Sequence, residues 1–281
     1  MGERILLLYF LASFGVAWAG VLLVATRTGL PAPRSAPEVD RYPVFLAMLA
    51  GPTFASLGLT ALIAGVPGLR DLVARLGRWR VGAGWYAALL IAPGLLALTL
   101  GALSLVSPTY APPILRGAPP GPVIAAALVA GLGAGFFEEL GWTGFATPRL
   151  LERYRWPRAG VLLGVAWAAW HGLADYWGSA VYGSLWSLHF LEWVVALAAF
   201  RMLMTWVYSH TRSLLLGVLL HASFTGGQAL LWPAAGPAEE VVRYGLFACG
   251  LWIAVAAVGA WTRSLGFMPG SRGASDRRRA P

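Results

Sequence analysis

The 281-residue sequence predicts an all-α fold, a polytopic membrane helix bundle of about eight transmembrane helices. Three observations lead there. First, 58% of the residues are hydrophobic and only 12% charged, with a mean hydropathy of +0.67, whereas soluble domains carry about 25% charged residues. Second, apolar stretches long enough to cross a bilayer recur along the whole chain. Third, the basic residues fall in the short connections between those stretches. All 21 are arginine, and the net charge is +9. Arginines in such loops orient a membrane protein, so the charge does not indicate a nucleic-acid partner. The single cysteine, Cys249, lies in an apolar stretch. A disulfide framework or a cysteine metal cluster within one chain is thereby excluded.

The expected spans run over residues 5–25, 44–66, 84–106, 122–146, 159–176, 185–208, 214–232 and 241–262. The first resembles a signal peptide, with Glu3 and Arg4 ahead of it and Ala17-Trp18-Ala19 as a cleavage-like site. Its apolar run continues through Val24, which favours an uncleaved span, since a signal core needs only about 7–15 residues. The connections rich in proline, over 30–37 and 108–120, read as short loops. Fifteen arginines fall on the side of the N-terminus and five on the other, so the positive-inside rule predicts an N-in, C-in topology. Residues 1–268 then form one transmembrane domain. Residues 269–281, with Arg277, Arg278 and Arg279, form a basic, disordered cytoplasmic tail held near anionic lipid heads. Glu239 and Glu240 are expected in an outer loop, Arg243 on the outer side at the start of the last span, and His210 on the surface beside Arg212.

Chemistry must then occur within the bundle, where ionisable residues are costly and default to function. Glu138 and Glu139 lie near the inner end of the fourth span. At about 1.5 Å rise per residue, Glu138 sits roughly 12 Å deep, His171 roughly 18 Å and His221 roughly 10 Å. Three groups on three helices thus share a layer. A carboxylate with two imidazoles in a water-accessible intramembrane cavity suits general-base hydrolysis, with the imidazoles as oxyanion donors. The same Glu138, His171 and His221 match the ligand types of a catalytic zinc. No H-E-x-x-H helix singles that metal out, so no cofactor is fixed by the sequence.

Three runs carry a resemblance: Glu138-Glu139-Leu140-Gly141-Trp142-Thr143 onward to Leu150, Trp167-Ala168-Ala169-Trp170-His171, and Leu214 through His221 to Phe224. In order and spacing they resemble the motifs of the CPBP intramembrane proteases, the family of CAAX prenyl-protein endopeptidases and bacterial relatives linked to bacteriocin maturation or immunity. Residues 69–81 and 204–213 also resemble bacterial members, so the protease-like core spans about 69–225. The resemblance implies motifs E-E-x-x-x-R, F-x-x-x-H and H-x-x-x-N. Glu138 would activate water, Glu139 would support it, and His171, His221 and the residue at the last motif position, Thr225, would line the site. It also implies a membrane-associated peptide substrate and, in a bacterium, residence in the cytoplasmic membrane, with the cavity entered from the cytoplasmic side. Members have been described both as metalloproteases and as metal-independent glutamate proteases.

Three positions depart from that pattern: Thr143 for arginine, Trp167 for phenylalanine and Thr225 for asparagine. Thr143 cannot neutralise Glu139, so Arg201 on the sixth span, at comparable depth, is expected to supply the charge within about 6 Å. Two rival readings use the same residues. One is a weakened family member serving as a membrane partner-binding or immunity protein; the other is a proton-coupled transporter, disfavoured by the lack of paired broken helices and internal symmetry. Other polar residues have plainer accounts. Asp175 reads as a solvated carboxylate, and His189 with Glu192 as an interhelical hydrogen-bonded pair or one lining the cavity mouth. Gly131 and Gly135 form a small-residue face for close helix packing.

Overall fold

The computed structural model describes residues 2–34, 41–233 and 235–264; the basic tail lies outside them. The described residues are helical, with no strand among them, and seven helices are long and apolar enough to cross a membrane. The protein is a multi-pass membrane protein. The helices are α1 (Gly2–Thr28), α2 (Arg41–Leu76), α3 (Ile91–Ser104), α4 (Pro120–Gly141), α5 (Thr147–Leu151), α6 (Trp156–Trp177), α7 (Trp186–Thr211), α8 (Leu214–Leu231) and α9 (Pro237–Ser264). The expected fifth span is present as α6, but it falls outside the seven apolar helices. Arg158, His171 and Asp175 lower its hydropathy, and it packs along α7 inside the bundle.

The structure revises several sequence expectations. Residues 69–76 belong to α2 instead of a loop. The helix breaks at Gly65, whose φ of 57° and ψ of −152° suit glycine alone, and resumes after Pro67, a residue that starts helices readily. His210 belongs to the last turn of α7, half-buried, with Nδ1 2.8 Å from the Trp206 carbonyl oxygen. Glu239, Glu240 and Arg243 lie on α9, where Glu240 and Arg243 are buried and ion-paired at 2.5 Å. A charged helical turn reads as a loop by composition, and only the packing of α9 against α7 and α3 reveals its burial.

Glycine sets how closely the helices that carry the site approach. A Cβ on Gly131 would lie 2.5 Å from the Ala222 carbonyl oxygen, and one on Gly135 2.4 Å from that of Val218, so α4 and α8 touch backbone to backbone. A second pair, Gly160 and Gly164, does the same for α6 against Met202 and Ala198 of α7. The turn from α7 to α8 is equally tight: Arg212 takes a left-handed conformation, and the Ser213 hydroxyl caps α8 by accepting from the Leu216 N–H at 3.1 Å.

After Glu138 and Glu139 the α4 helix widens into a π turn, Trp142–Ala146, before α5. Its carbonyls are answered from α2, as hydrocarbon surroundings require. Thr53 donates to the Phe137 oxygen at 2.5 Å, Ser56 to Leu140 at 2.7 Å and Arg75 Nη1 to Gly144 at 2.9 Å. Pro148 has no N–H to offer the Gly144 carbonyl four residues earlier, which explains why an arginine serves it. The extension of α2 past Gly65 is what brings Arg75 there, where it also donates to the Tyr208 hydroxyl at 2.9 Å.

Replacing Gly135 by Ala is expected to destabilise the protein by about 1–3 kcal/mol, since the methyl meets fixed backbone. Gly133→Ala, with nothing within 4 Å of the added carbon, is expected to hold or gain about 0.5–1 kcal/mol. Thermal unfolding of both variants in one detergent checks the contrast.

Candidate active site

The backbone contact of α4 with α8 and of α6 with α7 brings four buried polar groups together. Glu139, fully buried, receives Arg201 Nη1 on Oε2 and Nη2 on Oε1, both at 2.8 Å. Its Oε1 also accepts from His221 Nδ1 at 2.7 Å, and its Oε2 from the Thr143 hydroxyl. Arg201 itself is fully buried with its guanidinium carbon 4.1 Å from the centre of the Trp167 ring. Arg201 therefore supplies the expected counter-charge in direct contact. Thr143, standing where the resemblance implies arginine, still binds Glu139, through its hydroxyl, and its small side chain fits against Gly217 of α8.

Glu138 is held differently. Its Oε2 accepts from the indole N–H of Trp167 at 2.8 Å and of Trp142 at 3.3 Å. Its Oε1 carries no hydrogen bond among the described residues and lies 4.0 Å from His221 Nε2. Sequence reasoning misses both indole donors, because Trp167 reads there only as an aromatic exchange and Trp142 carries no role. The spacing of Trp142 four residues after Glu138 is the available signal, since residues four apart share a helix face. His221 bridges the two glutamates, with Nδ1 on Glu139 and Nε2 toward Glu138.

A cavity of about 240 Å³ opens beside Glu138. His171, His221 and Thr225 line it with Glu138, so the structure brings four of the five expected site residues to one wall. The fifth, Glu139, is sealed behind them. His171 lies among three indoles, with ring centres 5.9 Å from Trp167, 4.7 Å from Trp170 and 5.9 Å from Trp193. Asp175 turns away and accepts from Trp186 Nε1 at 2.9 Å. His189 stacks on Tyr182 at 4.0 Å and meets Tyr244 edge-on, and it makes no hydrogen bond with Glu192.

The cavity runs from Glu138 to Phe45, Ala229, Trp232 and Tyr244, away from the end of the bundle where Arg149, Arg153, Arg155 and Arg212 gather. The cavity follows α8. Thr225, Gln228 and Ala229 follow His221 toward its C-terminal end, and the widening between helices follows them. A larger cavity of about 570 Å³, at the arginine-rich ends of α6, α7 and α9, contains no carboxylate or imidazole and is not the site of this chemistry.

Among the described residues no three of His, Cys, Asp and Glu are gathered closely enough to hold a metal ion. His221 keeps Nε2 toward Glu138 while Nδ1 is held by Glu139, but His171 packs among indoles, so only two of the three expected ligands lie close together. The zinc set of Glu138, His171 and His221 is therefore a poor fit to this geometry.

Arg201→Met is expected to cost about 3–5 kcal/mol, because it strands the Glu139 charge. The double variant Arg201→Met/Glu139→Gln is expected to recover much of that loss. Denaturant unfolding in detergent measures both, and an Arg201→Met protein as stable as the parent would contradict the ion pair's role.

A family model described as Type II CAAX prenyl endopeptidase Rce1-like matches residues 120–226. CAAX prenyl protease 2 of Methanococcus maripaludis is 29% identical over 104 residues, covering 35% of this chain and 38% of that relative. The chain thus matches well under half the length of that relative. The matched segment contains Glu138, Glu139, His171, His221 and Thr225, and it is through this segment that the chain is similar to the Rce1-like CAAX prenyl endopeptidases.

Proposed function

We propose that this protein is a CAAX-type intramembrane endopeptidase, resident in a bacterial cytoplasmic membrane, that hydrolyses a membrane-associated peptide with water activated by Glu138. The observation that carries the reading is the asymmetry of the two glutamates. Glu139 has both oxygens filled by Arg201, His221 and Thr143, whereas Glu138 keeps Oε1 free on the cavity wall. The 4.0 Å between Glu138 Oε1 and His221 Nε2 is too long for a direct hydrogen bond and suits a bridging water.

His221 Nδ1 faces a carboxylate, so that nitrogen carries the proton, and in the neutral ring Nε2 is an acceptor. Water held between Nε2 and Glu138 Oε1 attacks the peptide carbonyl carbon and gives its proton to Glu138. The oxyanion that forms takes hydrogen bonds from a ring N–H of His171 and the hydroxyl of Thr225, both on the cavity wall. Glu138 then returns the proton to the departing amide nitrogen, the C–N bond breaks, and a carboxylic acid and an amine leave, the acid proton passing to the amine. The indole N–H groups of Trp142 and Trp167 fix Oε2 and aim Oε1, and being neutral they leave Glu138 a competent base. His221 thus serves to orient water, a narrower part than the oxyanion role expected from sequence.

Glu138→Gln is expected to lower cleavage of a quenched-fluorescent membrane peptide about 10²- to 10⁴-fold with unfolding unchanged; full retained activity would refute the assignment. Thr225→Asn, with a longer donor, is expected to raise turnover. If the Asn variant and the parent are both inert toward a broad set of membrane peptides, the partner-binding reading replaces the enzymatic one.

A further inference from the structure

A second costly polar group lies against Trp232 and Tyr244 of the same cavity, and the proposed hydrolysis does not use it. Arg243, fully buried, donates Nη2 to Glu240 at 2.5 Å and Nη1 to Gln228 Oε1 at 2.9 Å. Its guanidinium carbon lies 4.7 Å from the centre of the Trp232 ring and 4.1 Å from that of Tyr244. Arginine only donates, so this contact fixes which end of the Gln228 carboxamide is oxygen. The other end, Nε2, is buried and has no partner, and Gln228 is only 6% exposed while lining the cavity. Two amide hydrogens without a partner thus belong to a residue that lines the space holding Glu138, and they are fixed by a chain of three residues from two helices. A buried donor left unpaired is unfavourable, which is the expected condition of a group whose partner arrives with a ligand.

We propose that Gln228 is a substrate-positioning residue whose carboxamide donates to a backbone carbonyl oxygen of the bound peptide, about three residues from the bond that is cut. Gln228 follows His221 by seven residues, two turns of α8, so both face the same side at a separation of about 10.5 Å. An extended peptide covers that distance in about three residues at about 3.3 Å each. Trp193, Phe224, Trp232 and Tyr244 wall the intervening space, so the residues of this stretch are bulky and apolar. Glu240 and Arg243 hold the carboxamide in place without touching the peptide, and their charges cancel. An uncharged acceptor is therefore the match, in preference to a free carboxylate. The position in the reaction rests on the proposed proteolysis, whereas the binding site does not.

The variant of choice is Gln228→Glu, which keeps an acceptor for Arg243 and removes both donor hydrogens. It is made in the Glu138→Gln background, and binding is measured in nanodiscs against a fluorescent pool of eight-residue peptides built from Leu, Val, Ile and Phe. The Glu138→Gln protein is expected to retain members of this pool, and Gln228→Glu to weaken the best of them about tenfold at unchanged melting temperature. Reducing to methylene the peptide carbonyl that meets Gln228 is expected to cost the same factor in the protein that keeps Gln228 and nothing further in the Gln228→Glu protein. Equal affinity of the two proteins, or a pool with no bound member, overturns the proposal. Cleavage by the Glu138→Gln protein would instead overturn the proteolytic mechanism, leaving the binding comparison to be read on its own.

Discussion

The bidentate ion pair between Glu139 and Arg201 is the interaction on which the site depends. It joins α4 to α7, recruits His221 from α8 through the same carboxylate and rests on Trp167 of α6. A buried pair stabilises only when its remaining hydrogen-bonding capacity is met. On the glutamate side it is met in full, with each carboxylate oxygen taking two donors. The close helix approach at Gly131, Gly135, Gly160 and Gly164 makes those distances attainable. Bulkier residues would push α8 away from α4 and α7 away from α6, and the charges would then face hydrocarbon without partners.

The same pair explains why two neighbouring glutamates behave as unlike groups. Residues adjacent on a helix point about 100° apart, so only one of them can face Arg201. Glu139 turns to the arginine and receives charge-assisted bonds, which hold it as an anion with no capacity left for substrate. Glu138 turns to the cavity and meets only neutral indoles. His221 links them, since the proton fixed on Nδ1 by Glu139 leaves Nε2 as an acceptor toward Glu138. Glu139 thereby sets the tautomer of the ring that, in the proposed mechanism, orients water for its neighbour, an arrangement familiar from histidines oriented by a second carboxylate.

Much of this is legible in the sequence because a membrane penalises polar groups so heavily. Glu138, Glu139, His171, His221 and Arg201 stand out as ionisable residues in apolar runs, and helical rise alone puts them in one layer. The replacement of a missing arginine at Thr143 by Arg201 follows from charge balance, and the structure sets the two groups in contact. The remainder is hidden for identifiable reasons. Trp142 and Trp167 are apolar by composition, so their N–H groups carry no signal until the carboxylate they bind is located. Glu240 and Arg243 sit near a helix start, where charge normally means solvent, and only their packing beneath Trp232 and Tyr244 shows otherwise. The direction of the cavity depends on which side chains leave space between helices, a property of side-chain volumes in three dimensions that no periodicity encodes.

Two polar layers within one bundle are difficult to justify as scaffolding, because apolar residues of similar size would stabilise the helices at least as well. Each layer pairs one acid with one arginine, so neither ion pair adds net charge to the membrane interior. On the proposed reading each also supports one hydrogen-bonding function of a cavity-lining residue: the Glu138 acceptor, for a water to be activated, and the Gln228 donor, for a peptide oxygen. In both layers the ion pair fixes a neighbouring side chain. A buried, charge-neutral support can aim one side chain without itself reaching the substrate, and a hydrophobic support offers no such directional hold. The α8 helix carries both working faces, with His221 and Gln228 two turns apart. Its rigidity therefore sets the distance between the proposed site of attack and the proposed point of peptide contact.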